Sequence, residues 1–398
     1  MEEKKCVVLG VSGGIAAYKA CEIASRLTKG GADVRVVMTK NATEFVSPMT
    51  FETLTGNRAA VDTFDRNFEW NVEHVALAKQ ADVFLVAPAT ANVIAKFACG
   101  IADDMLSTTI LAAKCKKLVA PAMNTGMLEN PATQRNLETL RRDGFTVIEP
   151  ESGRLACGDN GAGRLADIDV ILDAVEDALY ENKDLAGLSV LVTAGPTREA
   201  MDPVRFITNH SSGKMGYAIA RAAKRRGANV TLVTGPTELR APFGVRVIGV
   251  ESAADMYGAV MENAPGADII IKAAAVADYT PASVAPGKIK KSEPSLTLEL
   301  ERTKDILAAL GENKRAGQLI CGFSMETENL IENSRRKLEA KHADMIVANS
   351  IAEEGTGFGT DTNRAVLITK DGDDRRPFMT KDALAHVILD KLLELGGK

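Results

Sequence analysis

Short apolar runs alternate with amphipathic stretches along the whole chain. Cys6-Val-Val-Leu9 is uniformly apolar and opens into the glycine-rich turn Gly10-Val-Ser-Gly-Gly14. A helical pattern then runs over 15–29, Gly30-Gly31 stops it, and Asp33-Val-Arg-Val-Val-Met-Thr39 is strand-like. Residues 82–87, 117–120 and 145–148 are further buried-strand candidates with helical stretches between them. This alternation predicts a doubly wound, mostly parallel sheet. A second unit repeats the plan. Ser189-Val-Leu-Val-Thr193 enters the turn Ala194-Gly-Pro-Thr197, and later 227–234 echoes 31–38. Ala267-Asp-Ile-Ile-Ile271 likewise echoes Ala81-Asp-Val-Phe-Leu85, as buried parallel strands tend to. More strands are predicted over 318–322, 344–349 and 365–369, with helices over 326–343 and 381–395. A helix over 168–180 and the polar stretch 181–187 form the join. The expectation is an α/β protein of two domains, residues 1–183 and 184–398.

Length agrees, since 398 residues exceed one ordinary core. With 45% apolar and 25% charged residues the balance is that of a soluble globular chain. A formal charge of −5 gives no reason to expect nucleic acid or an anionic membrane as partner. No apolar run approaches the ~18 residues of a membrane span, and the chain enters a strand too early for a signal peptide. Six scattered cysteines without C-x-x-C fit a reducing cytoplasm, and four dispersed histidines form no metal pattern.

The chemistry-bearing residues cluster after the strands. The 10–14 loop suits a phosphate at a helix N-terminus, although Ser12 breaks the dinucleotide fingerprint. Thr39 stands where a nicotinamide site would place a carboxylate, which disfavours NAD and leaves a flavin mononucleotide open. Gly10-x-Ser12-x-Gly14 also fits a nucleophile elbow, and a plain tight turn remains an alternative. Ala87-Pro-Ala-Thr-Ala-Asn92 and Pro121-Ala-Met-Asn-Thr-Gly-Met127 lie at strand ends, where open sheets bind ligands. Thr90 and Asn92 could equally cap a helix. His74, following the lone Trp70, is by itself unremarkable. Residues 152–164 hold four glycines around Cys157 and read as a mobile flap with Arg154 and Arg164. In the second half, 208–216 fails the P-loop pattern but still offers an anion a helix start. Lys288-Ile-Lys-Lys291 reads as a surface patch or as a counter-charge for phosphates, and Arg335, Arg336, Lys337 and Lys341 read as a solvated helix face.

Together the motifs resemble one family over the whole chain: the bifunctional phosphopantothenoylcysteine decarboxylase / phosphopantothenate–cysteine ligases of coenzyme A biosynthesis. Ser12-Gly-Gly-Ile-Ala-Ala-Tyr-Lys19, His74, 87–92, Pro121-Ala-Met-Asn124 and Ala156-Cys-Gly158 are similar to flavin-dependent cysteine decarboxylases. Residues 193–199, 209–216, 273–279, 288–291, 322–327, Lys341, Asp344 and Asn349 are similar to the ligases. The resemblance implies a flavodoxin-like flavoprotein domain followed by a Rossmann-like ligase domain. It implies FMN on Gly10, Ser12, Gly13, Gly14, Thr39, Pro88, Thr90, Asn92 and Ser107. It makes His74 a residue needed early in the decarboxylation, Asn124 the holder of the substrate carboxylate and Cys157 the final proton donor. Flavin oxidation of the cysteine moiety to a thioaldehyde would give the departing carboxylate an electron sink. The enethiolate left by carbon dioxide would then be reduced, with no net redox change.

For the ligase the resemblance implies CTP with Mg²⁺, activation of 4′-phosphopantothenate as an acyl-nucleotide, and attack by cysteine. Asn209 would hold that intermediate, and Lys288 and Lys290 the phosphates. The nucleotide would further contact Ala273, Ala274, Ala275, Asp278, Thr303, Lys304, Asp305, Ile306, Phe323, Lys337 and Lys341. No metal ligand follows from it. A homo-oligomer of flavin-domain trimers and ligase-domain dimers is implied. Leu128 and His210 depart from the common pattern, which carries an aromatic residue and Arg there.

Overall fold

In the computed structural model the described residues are 4–65, 72–156, 158–290, 296–326, 329–350 and 360–397. The chain divides into two compact units, Met1–Glu181 and Asn182–Lys398.

The first unit begins β1 (Cys6–Val11), α1 (Ala17–Lys29), β2 (Asp33–Met38), α2 (Pro48–Thr55), α3 (Glu73–Gln80), β3 (Val83–Ala89), α4 (Ala91–Cys99) and α5 (Met105–Ala112). It continues β4 (Lys116–Pro121), α6 (Thr125–Glu129), α7 (Pro131–Arg142), β5 (Phe145–Val147), the hairpin β6 (Glu151–Arg154) and β7 (Asn160–Arg164), and α8 (Ile168–Leu179). The sheet order is β2-β1-β3-β4-β5, and every pairing in it is parallel. This is the flavodoxin-like order, whose direction of winding reverses between β1 and β3. Every residue of β1 and β3 is buried, which explains their uninterrupted apolar runs. Gly10 belongs to this interior, because a β-carbon there would lie 2.5 Å from Leu106 Cδ1.

The second unit contains β8 (Ser189–Ala194), the hairpin β9 (Arg198–Ala200) and β10 (Phe206–Thr208), α9 (Lys214–Arg225), β11 (Asn229–Thr234), β12 (Arg246–Gly249) and α10 (Ala253–Asn263). There follow β13 (Ile269–Lys272), the pair β14 (Tyr279–Pro281) and β15 (Leu300–Arg302), α11 (Ile306–Glu312), β16 (Leu319–Glu326) and α12 (Leu330–Ala340). The unit closes with β17 (Met345–Ser350), β18 (Thr362–Asn363), β19 (Ala365–Thr369), β20 (Gly372–Arg375) and, after a last short strand, α12's successor α13 (Lys381–Leu395). The main sheet runs β12-β11-β8-β13-β16-β17-β19-β20, parallel from β12 to β17 and antiparallel at β19 and β20. The parallel part has the Rossmann order, with its switch point between β8 and β13. Alternate residues feed two cores. Ile269 and Ile271 join α9 and α13 on one face, and Ile270 joins α10, α11 and α12 on the other.

The repeated Ala-Asp dipeptide has a common structural basis. Asp82 Oδ2 accepts the amide of Cys6 at 2.7 Å, Asp268 Oδ2 that of Ser189 at 2.9 Å, and Asp344 Oδ2 that of Ile320 at 2.7 Å. Each carboxylate satisfies a backbone amide at the start of a neighbouring parallel strand. Among the described residues no helix is long and apolar enough to cross a membrane.

Candidate functional sites

A cleft of about 960 Å³ opens at the carboxyl ends of β1, β3 and β4, where open α/β sheets bind ligands. Two helix starts border it. Gly14, Ile15 and Ala16 lead into α1, and Thr90, Ala91 and Asn92 into α4. Neither helix has a side-chain cap, so both offer first-turn amides to an anion. Thr90 therefore does not cap α4. Its amide donates to Ser12 Oγ at 3.0 Å, while the Ser12 hydroxyl donates to Pro88 O at 2.8 Å. Ser12 is fully buried and ties the two loops together across the switch point. Gly13 is required for a different contact, since a β-carbon there would sit 2.4 Å from Asn41 Cβ. Thr39 caps the short turn Lys40–Glu44 by accepting the Ala42 amide at 3.2 Å.

The glycine-rich stretch forms the β6–β7 hairpin, seated on the loop that carries Asn124. Met123 N donates to Gly163 O at 2.9 Å, and Thr125 Oγ1 donates to Ala162 O at 2.8 Å. The seat needs glycine: β-carbons at 161 and 163 would fall 2.4 Å from Thr125 Oγ1 and 2.2 Å from Met123 O. Asn124 is the N-cap of α6, accepting the Gly126 amide at 2.8 Å, and it lines the cleft. Arg154, Ala156 and Arg164 of the hairpin line it too.

Of the residues expected to hold a flavin, Gly13, Gly14, Thr39, Thr90 and Asn92 line the cleft, while Gly10, Ser12 and Pro88 stand behind it. Ser107 lies beside the cleft-lining Asp104. It is buried in the N-terminal capping box of α5, its hydroxyl 2.8 Å from Asp104 Oδ1. His74 is the second residue of α3, half-buried and not among the cleft-lining residues. Cys157 and Trp70 lie outside the described residues. Sequence reading overlooked Lys96 and Asp104, which line the cleft and pair at 2.8 Å. Burial alone would raise the Asp104 carboxyl, but bonds from Lys96 and Ser107 hold it below its ordinary range. The spacing of a lysine on one helix and an acid at the next helix cap was the signal available.

In the second unit the predicted residues converge on the loop 273–278, which leaves β13 at the switch point. Ala274 N donates to Thr193 Oγ1 at 3.1 Å, and Ala277 N to Thr197 Oγ1 at 3.0 Å. Asn209 Nδ2 reaches Ala275 O at 3.3 Å and Val276 O at 3.2 Å, while Thr303 Oγ1 donates to Ala277 O at 2.7 Å. Hydroxyls and one carboxamide therefore satisfy a loop made of residues too small to do so themselves. Beside it Asp305 caps α11 and meets Lys341 Nζ at 2.9 Å, and Lys304 lies 5.0 Å from the Tyr257 ring centroid. Ile306 is buried as the first residue of α11. Lys337 departs from the solvated face expected of it, because its Nζ donates to Phe323 O at 2.9 Å.

Lys272, which sequence reading passed over, ends β13 between Thr193 and Gly322. Burial, and then Lys337, push its ammonium down to about 8, with Asp305 and Asp278 opposing. Helix α9 starts at Gly213 without a side-chain cap, and a β-carbon at Gly216 would lie 2.6 Å from Ala194 Cβ. That close helix–strand packing is the job of the last glycine in nucleotide-binding turns. Lys288 and Lys290 are exposed, and Lys291 lies outside the described residues.

Fold and sites define a flavoprotein-type unit followed by a Rossmann-ordered α/β unit, and comparison with known proteins places both in characterised families. Residues 1–180 match the flavoprotein family model, and 185–395 match the model for the DNA/pantothenate metabolism flavoprotein C-terminal domain. The coenzyme A biosynthesis bifunctional protein CoaBC of Bacillus subtilis is 48% identical over 400 residues, covering 100% of this chain and 98% of its own. That of Escherichia coli K12 is 44% identical over 392 residues, covering 98% and 97%. A crystal structure of a CoaBC C-terminal domain is 45% identical and covers 55% of this chain and 100% of its own, with a TM-score of 0.47. The chain belongs to the CoaBC family of bifunctional coenzyme A biosynthesis enzymes.

Proposed function

We propose that residues 1–183 form an FMN-dependent phosphopantothenoylcysteine decarboxylase and residues 184–398 a CTP-dependent phosphopantothenate–cysteine ligase. The observation that carries the first half is the cleft itself, with two uncapped helix starts on one side and Asn124 under a glycine-seated hairpin on the other. The helix amides, with Lys19 and Lys40 beside them, suit the phosphate of FMN, and Val93, Met123 and Met127 supply apolar walls. Bound there, FMN would take up and later return the electron pair of a decarboxylation with no net redox change. The side chains do the rest. Asn124 would hold the substrate carboxylate, and the hairpin would exclude water while Cys157 delivers the closing proton. His74 would act early in the reaction. It is not among the residues lining its own chain's cleft, so it would reach a site across the subunit contacts of a flavin-domain trimer.

In the second unit CTP would lie along the 273–278 loop, with Asp278, Thr303, Lys304, Asp305, Phe323, Lys337 and Lys341 around it. Mg²⁺ would arrive with the triphosphate, as that ion is usually held by substrate phosphates and few carboxylates. Lys288 and Lys290 would neutralise charge as the carboxylate of 4′-phosphopantothenate attacks the α-phosphate and pyrophosphate leaves. Asn209 would then hold the acyl-nucleotide until the cysteine nitrogen displaces the nucleotide. We place the enzyme in the cytoplasm as a homo-oligomer, with ligase-domain dimers beside the trimers. The test is to supply 4′-phosphopantothenate, cysteine, CTP and Mg²⁺ and weigh the products. Phosphopantetheine is expected from a yellow protein. A colourless protein that takes up no FMN contradicts the first half, and absence of pyrophosphate contradicts the second.

A further inference from the structure

The turn joining β9 to β10 is built around one carboxylate. The Asp202 side chain is fully buried. Its Oδ1 accepts the amides of Val204 and Arg205, each at 2.8 Å. Its Oδ2 accepts Arg205 Nε at 2.9 Å, Arg205 Nη2 at 2.7 Å and the amide of Ile289 at 3.1 Å. The same Arg205 Nη2 donates to Ile289 O at 2.7 Å. Just before, Ala285 N donates to Met201 O at 3.0 Å. One ion pair thus grips both backbone polar groups of Ile289, the residue between Lys288 and Lys290.

The turn alone does not call for this reach. Two amides at Oδ1 are enough to close it, and the Ile289 contacts cross to a separate segment. The hairpin also leads directly to Asn209. Thr208, at the end of β10, donates from Oγ1 to Thr197 O at 2.7 Å, and Asn209 then reaches the 273–278 loop. The piece of backbone that aims Asn209 is therefore the piece that holds the lysine segment.

We propose that Asp202, through its pair with Arg205, is a positioning residue for the ligase reaction: it fixes the peptide of Ile289 so that Lys288 and Lys290 stand ready for the nucleotide phosphates. The proposal rests on the assignment of Lys288 made above. A cation held in place before the phosphates arrive costs no reorganisation when charge develops on them. A clamp of this kind must stay ionised. Burial alone would raise the Asp202 carboxyl, but the amides and the Arg205 guanidinium hold it well below the ordinary carboxylate range.

The test uses the full-length protein. Asp202→Asn should lower kcat/KM for pyrophosphate release from CTP by roughly 10- to 100-fold, the scale of a misplaced catalytic group. Decarboxylation of supplied phosphopantothenoylcysteine should be unchanged, and the Ile289 amide should exchange its hydrogen faster. In a Lys288→Gln background the same substitution should cost less than about twofold, because the group being positioned is gone. Arg205→Lys, which keeps the charge but loses the fork, should show the same pattern if Asp202→Asn folds poorly. Equal losses in both backgrounds overturn the proposal, as does lost activity with unaltered Ile289 exchange. Normal ligase activity in Asp202→Asn beside a deficient Lys288→Gln overturns the clamp alone. Normal activity in Lys288→Gln overturns the assignment of Lys288 and the clamp with it.

Discussion

A methyl group at Gly163 would lie 2.2 Å from Met123 O, on a backbone whose φ is +128°. Gly163→Ala should therefore lift the β6–β7 hairpin from its seat beside Asn124, at a cost of about 1–3 kcal/mol. Decarboxylation should fall at least severalfold while CTP turnover is kept; assaying the two half-reactions separately checks this, and undiminished decarboxylation would contradict it. Glycine density marked this stretch as a flap in the sequence, but which glycines matter depends on what each one faces. Lys272 was not legible, because a lysine ending a strand normally points to water. Here burial pushes its ammonium down to about 8 from the ordinary 10.5 of a lysine. Between those values the unfolded chain binds the proton that the folded chain has lost, so this group makes stability rise as pH rises through that window. Below about 8 both states are protonated and the full penalty of the buried charge is present. Lys272→Met should accordingly stabilise the C-terminal unit at pH 7 by on the order of 2 kcal/mol. That advantage should shrink toward pH 10.5 in denaturant titrations, and a constant difference across the range would contradict the assignment.

At the scale of elements, the contiguous apolar runs were readable as strands because strands buried on both faces have no polar side to interrupt them. The helix over 381–395 was also readable to its ends, since Thr380 caps it by accepting the Ala383 amide and Gly396 follows it. Hairpins β6–β7 and β9–β10 were not. Their strands are short, half-exposed and held by contacts to distant segments, so no local period marks them. The Ala-Asp echo was visible as repetition, while its cause, an aspartate receiving a neighbouring strand's first amide, required the sheet. Removing that acceptor leaves a strand-start amide without its bond. Asp268→Ala should destabilise the C-terminal unit by about 1–3 kcal/mol. Flavin release on heating, which reports on the other unit, should be unchanged; calorimetry with flavin fluorescence separates the two.

For the whole molecule, both sites form at the switch point of a parallel sheet, one after the flavodoxin-like order and one after the Rossmann order. The order of motifs along the chain was enough to anticipate two α/β units and the strand-end loops that line the cleft of the first. It was not enough to show which polar side chains are bonded within the protein, such as Ser12, Ser107 and Asp202. Their side chains are spent on the protein itself, which composition and spacing do not reveal. On the function proposed above, one chain carries two active sites, each complete without the chemistry of the other. The most direct measurement gives the Lys288→Gln protein phosphopantothenoylcysteine without CTP and follows the product by mass. Conversion to phosphopantetheine with release of carbon dioxide is expected at the rate of the unsubstituted enzyme. No product, or product only after CTP is added, would contradict it.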